Sequence, residues 1–302
     1  MKKIRKIKLL LLVIIFISVN AISYKTENSV AETDKNSDEK NIGKKVKLPK
    51  IDLSHWKVTL PVTKEDGKPY EIDPPEILDF AKNEIAKPYM YIDSTKGAIV
   101  FHAMPTDSKT SNTKYTRSEL REQMIPGNNN KNWTFADGAY MKGKIEMEEV
   151  SKDANGKYHI VIIMQIHGRL TNEQRDLIGQ KDNNAPPILK IYWDQGRIRI
   201  KSKVLKNVNA AGNLLLLEDI WDNDEGYNFE QKVDFRKFTL EVKVSDGKMV
   251  IVLNGSEFKV YDSIHIKKWG IFENYFKAGN YFQSTDEGSY AKVNFYELEV
   301  SH

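Results

Sequence analysis

From about residue 48 onward, apolar and polar residues alternate in short runs with a period of two, the spacing of a β-strand with one buried face. The opening run, Leu48–Pro61, is closed by proline. Further strands are expected at Tyr89–Ile92, Ala98–His102, Thr116–Met124, Tyr140–Val150, Tyr158–His167, Ile188–Trp193, Arg197–Leu205, Lys237–Ser245, Lys248–Leu253, Glu257–Val260, Lys268–Glu273, Tyr275–Gln283 and Ala291–Val300. Asn155-Gly156, Asp246-Gly247 and Asn254-Gly255 are two-residue hairpin signals between them. A short helix is expected at Asp73–Phe80, with Asp73 as N-cap and proline in the first turn. So many short strands with so little helix predict an all-β fold, a two-sheet antiparallel β-sandwich of jelly-roll type with an open concave groove. Residues 48–302 then make one domain. Two polar stretches, Ala103–Tyr115 and Gly168–Pro187, interrupt the pattern and read as lids over a binding site.

Three strands carry a chemically loaded polar face. In Tyr275–Gln283, Phe276, Ala278, Asn280 and Phe282 fall on one side, whereas Tyr275, Lys277, Gly279, Tyr281 and Gln283 fall on the other. Gly279 leaves a gap where a ligand could approach the backbone. Arg117, Glu119, Arg121 and Gln123 share a face, two guanidiniums flanking a carboxylate, with planar donors suited to carboxylates or phosphates. In Tyr158–His167 the even positions, Ile162 among them, read as the core face. Gln165 and His167 then stand together at the rim of the other. These strands are expected to lie side by side and form one site.

The N-terminus changes the charge argument. Met1–Lys8 is basic and Leu9–Val19 is apolar but short for a membrane span, so residues 1–21 read as a secretory signal peptide cleaved after Ala21. Residues 22–47 are a polar linker with too little apolar surface to fold. The chain has 46 Lys/Arg against 42 Asp/Glu, a net charge of +4, but five of the basic residues lie in the first 21. The remainder is close to neutral, which argues against nucleic acid as a partner and leaves polyanion binding to a local basic patch. With no cysteine, a secreted chain of this size relies on core packing alone. No metal-binding loop is visible, and no cofactor is expected. The protein is expected to be extracellular and monomeric, with no membrane contact after signal cleavage.

Arg, Gln, His, Lys and Tyr on one surface suit a particular reaction. Removing the C5 proton of a uronic acid puts a second negative charge beside the carboxylate, and Arg and Gln can stabilise that dianion without a metal. A histidine titrating near neutrality can take the proton, and a tyrosine can protonate the departing glycosidic oxygen. Arg117-Ser118-Glu119-Leu120-Arg121, Gln165-Ile166-His167 and Tyr275–Gln283 resemble, in order, the three signature segments of the polysaccharide lyase family 7 alginate lyases. Leu53–Pro61 resembles the family's first strand, so the similarity spans about residues 48–302.

The resemblance implies a jelly roll binding the anionic polysaccharide alginate. Arg117 and Gln165 would neutralise the C5 carboxylate, His167 would act as base, and Tyr281 as acid, serving both roles for mannuronate. Glu119 would orient the arginines, while Arg121 and Lys277 would meet neighbouring carboxylates. Tyr275 and Gln283 complete the substrate-binding set. The product would be unsaturated oligouronates, from an endo-acting enzyme accepting guluronate-containing blocks, a preference the family associates with isoleucine at position 166. Phe282 departs from the family's usual asparagine.

Two other readings compete, besides a lyase for another polyuronate such as glucuronan. A glycoside hydrolase would need paired carboxylates, for which Glu146 and Glu148 are the best candidates. A non-catalytic carbohydrate-binding module could use aromatics such as Trp133, Trp193 or Trp221 as stacking platforms, though core packing is the commoner role at their positions.

Overall fold

The computed structural model describes residues 46–108 and 113–302. The expected signal peptide, nearly all of the linker and the middle of Ala103–Tyr115 lie outside them. Strands dominate, arranged in two sheets that pack face to face as a β-sandwich of jelly-roll type. The back sheet runs, edge to edge, Glu257–Tyr261, Lys248–Leu253, Phe238–Ser245, Ala139–Val150, Ala291–Ser301, Ala98–Ala103 and Met90–Asp93. The short strand Lys50–Ile51 pairs parallel to Ala291–Ser301. The front sheet runs Trp221–Asn223, Arg197–Leu205, Asn184–Asp194, Val161–Arg169, Glu273–Phe282, Arg117–Glu122, Trp56–Thr63 and Pro69–Ile72, with Tyr227–Lys232 also pairing to Arg197–Leu205.

Alternation dictates what fills the space between the sheets. Phe276, Ala278 and Phe282 of the front sheet are fully buried with Phe101 and Phe295 of the back sheet, whose rings meet edge to face at 5.5 Å. Asn280 is the polar member of that inward face. Its amide donates to the carbonyls of Phe101 and Ala291 at 3.0 and 2.7 Å, tying the central front strand to two back strands. Trp133, Trp193 and Trp221 are all buried in this core, which leaves the binding-module reading without its stacking platforms.

The sequence pattern misplaced several elements. Lys268–Glu273 is not a strand: the helix Ile264–Trp269 ends there, burying Ile266 and Trp269 three residues apart on one face. The Asp73–Phe80 helix is a 3₁₀ segment, Glu76–Lys82, with Pro75 at its start. Asp73 instead accepts the Gln123 amide at 2.9 Å. The stretch Gly168–Pro187 is mostly ordered structure, with strands running out to Arg169 and back in from Asn184. Between them sits the helix Asn172–Leu177, started by a capping box of Thr171 and Gln174. Pro186 and Pro187 lie within a strand, where the register slips opposite His167 and no ladder donor is required of them.

Candidate active site

The three polar-faced strands are neighbours. Glu273–Phe282 lies between Arg117–Glu122 and Val161–Arg169, with Lys277 opposite both Arg121 and Gln165, Tyr281 opposite Arg117, and Tyr275 opposite His167. Directly opposed residues share a sheet face, so one surface collects the guanidiniums, imidazole, phenols and ammonium. The alternation is not perfect, however. The register slips between Ala278 and Tyr281 and again between Ile162 and Met164, placing Ile162 opposite Tyr281 and Tyr192. Ile162 therefore faces the groove side rather than the core side that uninterrupted alternation predicts.

Gly279 sits in that slip with φ of 136°. A Cβ there would come within 2.7 Å of the Ser118 carbonyl oxygen and 3.0 Å of the Glu119 Cα. Close approach of the neighbouring strand is what demands glycine here; the expected gap for a ligand is already filled by backbone.

Glu119 is the centre of the arrangement. It is 1% exposed; one carboxylate oxygen accepts the Gln165 amide at 2.5 Å and the other is ion-paired to Lys277, with Arg117 at 3.6 Å. A single buried carboxylate thus fixes three of the predicted site residues. The Arg117 guanidinium also lies over the Tyr281 ring, 4.5 Å from its centroid. Arg121 is more committed. It donates to the Glu122 and Asn129 carbonyls and to Asn132 Oδ1 at 2.7–3.0 Å, and stacks on Tyr275 at 4.1 Å. It holds the 129–132 loop and also lines the groove. Tyr275 fills the space between Arg121 and His167, whose ring is nearly parallel at 5.2 Å. Gln123 grips the same loop through Asn129 Oδ1 and the Gly127 N–H. The Gln283 amide turns back to the Tyr281 carbonyl at 3.1 Å.

Electrostatics set the protonation states. His167 is pushed down to about 3, first by desolvation, then by the nearby charges of Lys277 and Arg117. Its Nδ1 lies 2.9 Å from the Gly168 carbonyl and must be the protonated nitrogen there, which leaves Nε2 as a free base. Tyr281 is raised above the usual phenol value, chiefly by desolvation and against the pull of Arg117, so it carries its proton. Lys277 is lowered to about 8 by desolvation, with Glu119 opposing the fall. The surface therefore presents a neutral base, a protonated phenol and a guanidinium that, among the described residues, makes no hydrogen bond and only a 3.6 Å ion pair to Glu119.

Arg117, His167, Tyr275 and Lys277 line a groove of about 890 Å³, whose other walls include Lys57, Asn129, Arg169, Asn183 and Lys190. A separate cavity of about 710 Å³, lined by His55, Glu122 and His302, adjoins the inward side of the Arg117 strand instead. Several groove residues escaped the sequence reading. Lys57 and Lys190 sit on strands whose alternation was legible, Trp56-Lys57-Val58 and Leu189-Lys190-Ile191, but neither polar face carried a distinctive cluster. Arg169 lay beyond the expected strand end; it pairs with Glu273 at 2.9 Å and donates to Asn130. Glu146 and Glu148 are on the back sheet, paired with Tyr296 and Lys96 respectively, which removes the hydrolase reading's acids from the groove.

The alginate lyase family model matches residues 51–302. The chain belongs to that family, polysaccharide lyase family 7. Among solved structures, a substituted form of family 7 alginate lyase A1-II′ in complex with substrate (GGMG) shares 28% identity, with a TM-score of 0.65, over 83% of this chain and 94% of that one. Another form of A1-II′, in complex with product (GGG), shares 29% identity, with a TM-score of 0.64, over 83% and 96%. An alginate lyase from Pseudomonas aeruginosa, at 22% identity and a TM-score of 0.61 over 83% and 100%, supports the fold alone. No curated protein sequence matches. The lyase is thus a carbon–oxygen lyase of polysaccharides. Among its described residues no helix is long and apolar enough to cross a membrane.

Proposed function

We propose that this lyase cleaves alginate by β-elimination, within the chain and including guluronate-containing blocks, and acts outside the cell. The observation that carries this reading is the shared face of a neutral imidazole with an unprotonated Nε2, a protonated phenol and an arginine that, among the described residues, has only a 3.6 Å ion pair to Glu119 and a stacked Tyr281 ring. Arg117 meets the carboxylate of the reacting sugar, and the second N–H of the Gln165 amide, the first being held by Glu119, meets its other side. Their charge and dipole stabilise the dianion formed when the C5 proton leaves. His167 Nε2 takes that proton in guluronate. The Tyr281 hydroxyl donates to the glycosidic oxygen as the O4 bond breaks, leaving a double bond between C4 and C5.

Mannuronate has the opposite C5 configuration, which brings the leaving proton and O4 to one side, where Tyr281 serves as both base and acid. Lys277 keeps Glu119 neutralised and adds positive charge beneath the carboxylate. The A1-II′ complexes with a GGMG substrate and a GGG product support an alginate substrate for a relative with the same fold. Groove cations on both sides of the centre, Lys57 and Lys190, support cleavage within a chain rather than at its end. Export is supported by the basic-then-apolar start of the sequence. The test is to follow ultraviolet absorbance of the conjugated product on poly-guluronate, poly-mannuronate and glucuronan in parallel. Absorbance on the two alginate blocks is the expected result; absorbance confined to glucuronan, or depolymerisation giving saturated ends, overturns the reading.

A further inference from the structure

The strand registers line up one transverse row across the front sheet. Lys57 is opposite Arg121, Arg121 opposite Lys277, Lys277 opposite Gln165, Gln165 opposite Lys190, and Lys190 opposite Lys201. Five cations and one amide thus stand on six adjacent strands. Neighbouring strands are about 4.8 Å apart, close to the advance per sugar of an extended 1,4-linked polyuronate, which carries one carboxylate on every residue.

The two ends of this row differ. Lys57 is paired with Glu71 at 2.7 Å, Arg121 is bound to its loop, and Lys277 is held by Glu119. Lys190 and Lys201 face one another directly, with Lys203 two residues further along the outer strand. Among the described residues none of these three has a side-chain hydrogen bond or ion pair. Like charges directly opposed on a sheet are destabilising, and burial lowers the pKa of Lys190 and Lys203, with the exposed Glu218 and Asp222 as counter-charges outside ion-pair distance. An arrangement that costs stability in the free protein and leaves every ammonium donor unused is suited to an anion that arrives from outside.

We propose that Lys190, Lys201 and Lys203 form a carboxylate-binding subsite, distal to the reaction centre, that engages the sugars one and two positions away from the one whose carboxylate meets Arg117 and Gln165. The inference rests on the polyuronate lyase reading above. The three lysines are specificity determinants: they add affinity for each further sugar and so make the enzyme prefer longer chains.

The test compares wild type with the K201A/K203A double variant, and separately K190A, on alginate oligosaccharides of increasing length. In wild type, kcat/KM should climb as sugars are added across this side of the groove. In the double variant the advantage of long over short substrates should fall on the order of tenfold, carried by KM, with kcat at saturation little changed. The charge-keeping double variant K201R/K203R should retain it. An unchanged length advantage, or a loss in kcat alone, overturns the proposal. Thermal unfolding separates a structural role, since removing opposed like charges should leave the midpoint equal or higher, and a marked fall would also overturn it. If wild type eliminates no alginate at all, the functional reading has failed, not this one. Calorimetric binding of the same oligosaccharides then decides the subsite: equal affinity of wild type and double variant for long chains overturns it, and a selective loss for long chains supports it.

Discussion

The two halves of the groove solve the same electrostatic problem in opposite ways. Around Glu119 the polar groups share one acid: a single buried carboxylate takes Lys277, Gln165 and, more distantly, Arg117. On the strands Asn184–Asp194 and Arg197–Leu205, Lys190, Lys201 and Lys203 have no side-chain partner among the described residues, and the first two oppose each other. The first half is preorganised, so reacting groups need no rearrangement when charge develops. The second keeps its donors for the polymer. Rigid geometry is concentrated where bonds change, and unspent charge where a chain has only to be held.

The sharpest break in that comparison comes from the reacting groups. Tyr281→Phe should lower kcat by about 10²–10⁴ with little effect on substrate affinity, measured by steady-state kinetics on polymer. Turnover near the wild-type level would remove Tyr281 as proton donor. Glu119→Ala should come next, because it strands Lys277 and frees Gln165. Breaking a buried pair costs about 3–5 kcal/mol, to be read in denaturant unfolding, and activity should fall with it. If Lys190→Ala destabilised as much as Glu119→Ala, the contrast between the halves would be wrong.

His167→Ala should reduce guluronate cleavage more than mannuronate cleavage, and equal losses on the two block polymers would argue against a separate base. The same residue predicts an acid limb in stability. Its pKa is about 3 in the folded chain against 6.5 for an unperturbed histidine, so the unfolded chain binds a proton that the folded chain refuses. Its stabilising contribution is therefore complete above pH 6.5 and lost as pH falls toward 3. Unfolding of His167→Asn should show a shallower decline over that window.

The smallest effect is an alkaline one. Lys277, lowered to about 8, loses its charge as pH rises past that value, so kcat/KM should fall there. Lys277→Arg should push the limb to higher pH if the charge is what matters.

The order of residues alone was enough for the strand character of the chain, the partition of Tyr275–Gln283 into wet and dry faces, and the expectation that three polar-faced strands lie together. A period of two is imposed by the pleat and holds wherever no register slip interrupts the strand. Residues Arg117, Gln165, His167 and Tyr281 could be named because chemistry of that kind needs several polar groups on consecutive outward positions. The rest came from packing. That these three strands form one site could be expected, but that the Glu119 carboxylate binds Lys277 and Gln165 on the two other strands depends on contacts distant in sequence. The register slips that turn Ile162 outward and demand Gly279 arise from the fit between neighbours, not from either strand alone. Lys190 and Lys201 are unremarkable along the chain. Only their direct opposition across a hydrogen-bonded pair, with no acid within reach of an ion pair among the described residues, turns two ordinary lysines into a feature with a physical cost.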